Sequence, residues 1–307
     1  MTEEPRYNLD SGFRIPDFRV EQASRPVQIR RPRHRRIWVN ILLFLATIVT
    51  TLLAGTLLAE VDPIAQPKLI YKGIPFSAAL MSILLSHELG HYVMSRKHRV
   101  DATLPYFIPA PTIVGTFGAV IRMNSSVPDR RALLDIGATG PIVGFIVSIP
   151  CLIIGFRLSE VAPGTSEGLV FGSSLLLEII SRAIFPSVPE GYVINIHPVA
   201  LAGWLGLLVT MMNLLPLGMM DGGHIVYALF GGWHHHISRV MVVILVLMGI
   251  FGWIGWAIWG AVNLFFGLRH PPPLNPQVSL DRNRKIIAAL AAVILVITFV
   301  PIPVSLA

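Results

Sequence analysis

The chain alternates long apolar runs with short polar connections, on the length scale of a bilayer. A spanning helix needs roughly 20 apolar residues, and residues 37–59 (IWVNILLFLATIVTTLLAGTLLA) meet this without a single charge. Further runs fall at 74–94, 133–157, 198–220 and 286–304, the second containing a polar group and the third carrying Asp135 near its start. Residues 238–268 are mostly apolar but interrupted by Gly249, Gly252 and Gly255. One long tilted helix there would put Arg269, Arg282, Arg284 and Lys285 on the outer side, against the positive-inside bias. A hairpin bent near Gly252 keeps them inside, with arms of about 14 residues or roughly 21 Å, and is the form expected.

Residues 100–123 break the pattern. Pro105, Pro109 and Pro111 forbid a regular helix, and Thr112–Met123 is rich in β-branched residues with glycines at 115 and 118. The stretch is expected to form a short β-hairpin or re-entrant loop, covered by protein or lining a watery cavity, because irregular backbone at membrane depth needs such cover. A proline-rich interfacial loop is the alternative. The fold class expected is therefore an all-α polytopic membrane protein of about six transmembrane segments with one re-entrant β-hairpin or loop.

Composition supports this. The chain is 53% hydrophobic and only 13% charged, too apolar for an ordinary soluble domain. Its net charge of +7 is unevenly spread. Arg30, Arg31, Arg33, Arg35 and Arg36 stand directly before the first apolar run, so they read as an orientation signal rather than a nucleic-acid patch. Residues 1–36 are expected to be a flexible basic cytoplasmic tail and residues 37–304 the transmembrane domain. Arg96, Lys97, Arg99, Arg122, Arg130 and Arg131 place the loop after the second run inside as well, while the Glu-rich loop 158–197 faces outside. No cleavable signal peptide is expected, because the first apolar run follows a long polar leader. The single cysteine, Cys151, excludes an internal disulfide.

Candidate chemistry sits in the second run. His87-Glu88-Leu89-Gly90-His91 is HExxH on an expected helix, and the i, i+4 spacing puts both imidazoles on one face. Glu88 stands beside them as a general base for water. Two histidines and a glutamate in a span are costly unless they serve a function. A catalytic zinc has three protein ligands, and Asp221 is the candidate for the third. His87 lies about 20 Å along its span at 1.5 Å per residue, near the cytoplasmic face, and Asp221 lies at the inner end of the fourth run. Pro216 and Gly218 should break the helix there and let the carboxylate turn inward. His224 could be a further ligand or a supporting group, though an interfacial role is favoured. His234-His235-His236 reads as interfacial. Gly137, Gly140 and Gly144 read as a close-packing face for the third run against the second and fourth.

HExxH followed by Asn213-xx-Pro216-xxxx-Asp221-Gly222 resembles the site-2 protease family of intramembrane metalloproteases, peptidase family M50. Thr116-Phe117-Gly118 and Gly137-Ala-Thr-Gly140-Pro141-xx-Gly144 resemble stretches of the branch without a PDZ domain, which includes plant chloroplast members. The match covers roughly residues 74–230, the expected catalytic core. Met220 stands where family members often carry Leu. The resemblance implies a zinc-dependent endopeptidase (EC 3.4.24) that hydrolyses a bond in or near a transmembrane helix, commonly after a first cut by an upstream site-1-type protease. It implies one Zn2+ per chain on His87, His91 and Asp221, with Glu88 as base and Asn213 holding the substrate backbone. Gly115, Thr116, Phe117 and Gly118 are expected to bind substrate.

The partners expected are a transmembrane protein substrate and the lipid bilayer, with no nucleic acid; the oligomeric state is open. The location expected is a prokaryotic plasma membrane, N-terminus cytoplasmic, with the site nearer the cytoplasmic face. Rival readings are a metal transporter or sensor, which should show repeated halves, and an inactive homologue, which would not need Glu88. A zinc-type prenyl-protein protease would need a later glutamate that the inner spans lack.

Overall fold

The computed structural model describes residues 37–164 and 169–306. The expected tail, residues 1–36, lies outside the described residues. The described chain runs α1 (Ile37–Leu58), α2 (Ile74–Lys97), β1 (Tyr106–Pro109), β2 (Thr116–Val120), α3 (Arg130–Arg157), β3 (Glu160–Pro163), β4 (Leu169–Phe171), α4 (Leu175–Ile184), β5 (Tyr192–Asn195), α5 (Pro198–Leu214), α6 (Asp221–Phe230), α7 (His234–Phe251), α8 (Gly255–Phe266), α9 (Arg282–Thr298) and β6 (Val304–Leu306).

Among the described residues, four helical stretches are long and apolar enough to cross a membrane: Ile37–Leu58, Pro67–Lys97, Arg130–Arg157 and Asp221–Phe251. Two shorter apolar helices, α5 and α8, accompany them. The expected fourth span, 198–220, is a helix only to Leu214. Pro216 has no N–H to donate, and Gly218 at φ 37° leaves the helical region. The 238–268 run is indeed broken at Gly252: α7 and α8 fold back on each other, with Gly249 against Ala257 and Gly260 against Leu245.

The all-α expectation is too narrow. Among the described residues, three two-stranded antiparallel sheets join the helices: β1 with β2, β3 with β5, and β4 with β6. The first is the hairpin expected within 112–123, but it starts earlier. Tyr106 pairs with Val120, Phe107 with Ala119 and Pro109 with Thr116. Pro109 is tolerated because it lies past an irregularity in the register, where no ladder N–H is needed. The loop 158–197 holds β3, β4, β5 and the amphipathic α4, whose Leu176, Leu177, Ile180 and Ile184 rest on the core while Leu175 and Ile179 are exposed. Ser174 starts that helix by accepting from the Leu177 N–H at 3.3 Å.

The helix α3 is the centre of the fold, packed on α2, α5, α6 and α9. Its crossing with α5 is close because glycine stands at the contact on both sides. Gly155 meets the Ala200 backbone, and Gly203 meets Leu152. Asp129 begins α3 by accepting from the Ala132 N–H at 2.8 Å. One turn further in, Asp135 accepts from Arg284 Nε at 3.0 Å and from its terminal nitrogen at 2.6 Å, while His98 Nε2 lies 2.8 Å from the same carboxylate. This joins the ends of α2, α3 and α9 around a carboxylate that is otherwise costly at that depth.

Candidate metal centre

The HExxH segment lies on the C-terminal half of α2, and both imidazoles point the same way as the i, i+4 spacing requires. His87 and His91 are buried, with ring centroids 4.9 Å apart. The third donor arrives from the first residue of α6. The turn Leu215–Met220, bent by Pro216 and Gly218, ends α5 and starts a new helix at Asp221. Gly222 packs on the Leu214 and Leu215 carbonyls there, leaving no space for a side chain.

Three donor atoms meet. His91 Nε2 is 3.1 Å from His87 Nε2, and each lies 3.3 Å from Asp221 Oδ2. Tetrahedral ligands bonded to zinc at about 2.0–2.1 Å stand about 3.3 Å apart, so this triangle has the size that the ion sets. Among the described residues these are the one group of three His, Cys, Asp or Glu side chains close enough to share a metal. The chemistry of the donors fits as well. His91 Nδ1 donates to the Ile136 carbonyl at 2.8 Å, which fixes its proton there and leaves Nε2 bare. Gly140 lies against the His91 ring and Gly144 against the His87 ring. The small-residue face of α3 therefore makes room for the two imidazoles themselves, beyond the helix packing expected of it.

The remaining expected residues divide. Glu88 is buried beside the triangle, with the Ile121 backbone near its carboxylate. Asn213 Nδ2 stands 3.4 Å from His87 Nε2, at the edge of the donor cluster. Gly115 turns away from the triangle: at φ 82° it packs on the α1 backbone. Thr116 is buried and braces the hairpin, its hydroxyl donating to the Ile108 carbonyl and accepting from the Gly118 N–H, each at 2.9 Å. Phe117 is 72% exposed, and nothing stands within 4 Å of where a Cβ on Gly118 would be. These two form an open surface on β2.

Ile121 was not singled out by the sequence; its signal is that it prolongs the β2 strand toward the HExxH helix. His224 does not join the triangle. Its Nδ1 shares a 2.6 Å hydrogen bond with His270 Nε2, and His270 stacks on Tyr227 with centroids 4.6 Å apart. Burial pushes the His270 imidazole down to about 4. Of the expected interfacial trio, His234 is buried, with its Nε2 3.3 Å from the Ser238 hydroxyl.

Comparison with known proteins shows the family. The sequence model of peptidase family M50 matches residues 75–254, from the start of α2 to the α7–α8 turn. The chain is 31% identical to "Probable zinc metalloprotease EGY1, chloroplastic" of Arabidopsis thaliana, across 98% of this chain and 60% of that protein. It is 30% identical to the protein of the same name from Oryza sativa subsp. japonica, across 75% of this chain and 44% of the relative. It is also 30% identical to "Probable zinc metalloprotease EGY2, chloroplastic" of Oryza sativa subsp. indica, across 78% and 44%. The chain thus spans less than two thirds of the length of these relatives. No solved structure matches it. The chain belongs to peptidase family M50, the site-2 protease family.

Proposed function

We propose that this chain is a zinc-dependent endopeptidase that hydrolyses a peptide bond in or beside a membrane-spanning helix of a protein substrate. The observation that carries the reading is the 3.1–3.3 Å triangle of His87, His91 and Asp221 with a buried carboxylate, Glu88, next to it. Membership of M50 and the metalloprotease names of the relatives support it. Zinc bound there would polarise the scissile carbonyl and bring the pKa of its water toward 7.

The protein's own groups do the rest. Glu88 takes the proton from the attacking water, whose oxygen bonds to the carbonyl carbon. Glu88 then gives that proton to the amine nitrogen as the C–N bond breaks. Asn213 directs its amide at the reacting carbonyl, either holding the peptide or steadying the charge on its oxygen. A helical substrate hides its amides in its own hydrogen bonds, so it must unwind first. Among the described residues β2 pairs only with β1, which leaves its other edge for an extended peptide beside Glu88. Phe117 and Gly118 would then contact the substrate, and Gly115 and Thr116 would act through the shape of the hairpin.

The six-span reading adds α5 and α9, on the expected runs 198–220 and 286–304, to the four long stretches, with α8 folded back on α7 at the end of the fourth. The re-entrant reading of β1–β2 is supported by its place against α1 and α2. The basic residues of the 96–131 loop support an orientation with the site nearer the side that holds them. The relatives are named as chloroplastic, so they lend no support to the prokaryotic plasma membrane expected from the sequence. An upstream site-1-type protease would supply substrates already trimmed outside the membrane. The test is cleavage of a model membrane-spanning substrate by the purified chain. A chelator should stop the cut, and zinc alone should restore it; cleavage indifferent to the chelator removes the proposal.

A further inference from the structure

The first helix grips the β1–β2 hairpin along its whole length. In its first turn Asn40 is buried, and its Nδ2 donates to the Leu104 and Pro105 carbonyls at 2.9 and 3.0 Å. One turn on, Phe44 meets Phe107 edge-to-face with centroids 5.0 Å apart. Two turns further, Gly115 closes on the Thr50–Thr51 backbone, where an added Cβ would stand 2.5 Å from the Thr50 carbonyl oxygen. On the other side β2 packs on α2, and just past its end the Ile121 backbone meets Glu88. The hairpin is therefore a bridge between α1 and the base.

A carboxamide in a lipid-embedded helix costs free energy that a Leu would not, unless its donors are used. Both Asn40 contacts go to carbonyls at the root of β1, next to the Thr103 N–H bond to the Arg122 carbonyl at 2.9 Å, so the amide ties that end of the hairpin to α1. A strand advances about 3.3 Å per residue. A slip of one residue at the root would offer Glu88 a neighbouring peptide bond and turn every side chain to the opposite face.

We infer that Asn40 is a positioning residue that sets the register of the β1–β2 hairpin against Glu88 and so determines which bond of the substrate is cut. The inference rests on the protease reading above. The test uses the full chain in liposomes with a membrane-spanning substrate, products mapped by mass spectrometry, and kcat and KM measured separately. Asn40→Leu keeps the helix and removes both donors. It should spread the cut over neighbouring bonds and raise KM roughly tenfold with little change in kcat, at parental zinc content. Asn40→Gln, which keeps the carboxamide, should recover most of the parental cut.

A purely structural role would lower the amount of active protein without moving the cut. A single unmoved cut at parental KM in Asn40→Leu overturns the inference alone. Should Asn40→Leu not hold zinc, Phe44→Leu tests the same anchor: a spread cut supports the inference, and a single parental cut overturns it. No cutting by the zinc-loaded parent overturns the protease reading, and this inference with it.

Discussion

Gly140 of α3 lies against the imidazole of His91 so closely that a Cβ would stand 2.1 Å from its Nε2. The relationship explains why a glycine occupies mid-helix in a span, where it otherwise weakens the helix. Gly140→Ala should push His91 off its Ile136 contact. Zinc binding should weaken, and overpacking should lower stability by about 1–3 kcal/mol. Metal analysis and thermal unfolding in detergent measure both. Gly118→Ala is the contrast: nothing within 4 Å opposes the added carbon there, so only its φ of 95° resists it.

Asn213 should separate binding of metal from turnover. Its Nδ2 is 3.4 Å from His87 Nε2, but it supplies no ligand atom to the triangle. Asn213→Ala should keep zinc and lose roughly 100-fold in kcat, the usual effect of removing one oriented amide from a reacting carbonyl. Single-turnover kinetics with zinc content measured on the same sample make the comparison.

Arg284 tests the polar joint at the ends of α2, α3 and α9. Its guanidinium makes two hydrogen bonds to Asp135 and a further one to Asp281, and Arg284→Ala would leave Asp135 with His98 as its remaining ion-pair partner. The expected loss is roughly 1.5–3 kcal/mol, the range for hydrogen bonds to charged groups. A double-mutant cycle with Asp135→Asn, read by unfolding in detergent, should show coupling between the two positions.

The HExxH helix was legible in the sequence because its information is local: 3.6-residue periodicity places His87 and His91 on one face without reference to anything else. Asp221 was reachable by counting depth along two spans, since a bilayer constrains height even when it leaves lateral packing open. The β1 strand was not, because Pro105 and Pro109 carry a turn signal and the pairing with Thr116–Val120 depends on a register irregularity at Pro109. The break at Pro216 and Gly218 was legible, and α5 does end at Leu214, but the apolar run drawn to residue 220 was too long. Leu215–Met220 is as apolar as the helix before it, and hydropathy does not show where Pro216 ends the hydrogen-bond ladder. Asn40 and His270 had no local signal at all. Asn40 and Leu104 are 64 residues apart in the chain, and His270 reaches His224 across 46. Such contacts are fixed by packing rather than by sequence pattern.

The central claim is that Glu88 carries the proton for hydrolysis at a metal held by His87, His91 and Asp221. The most direct measurement compares the parent with Glu88→Gln for zinc per chain and for cleavage of one membrane-spanning substrate. Glu88→Gln should hold as much zinc as the parent and lose roughly 10²–10⁴-fold in kcat, the contribution of a positioned general base. Cleavage by Glu88→Gln at the parental rate, with zinc in place, would contradict the account.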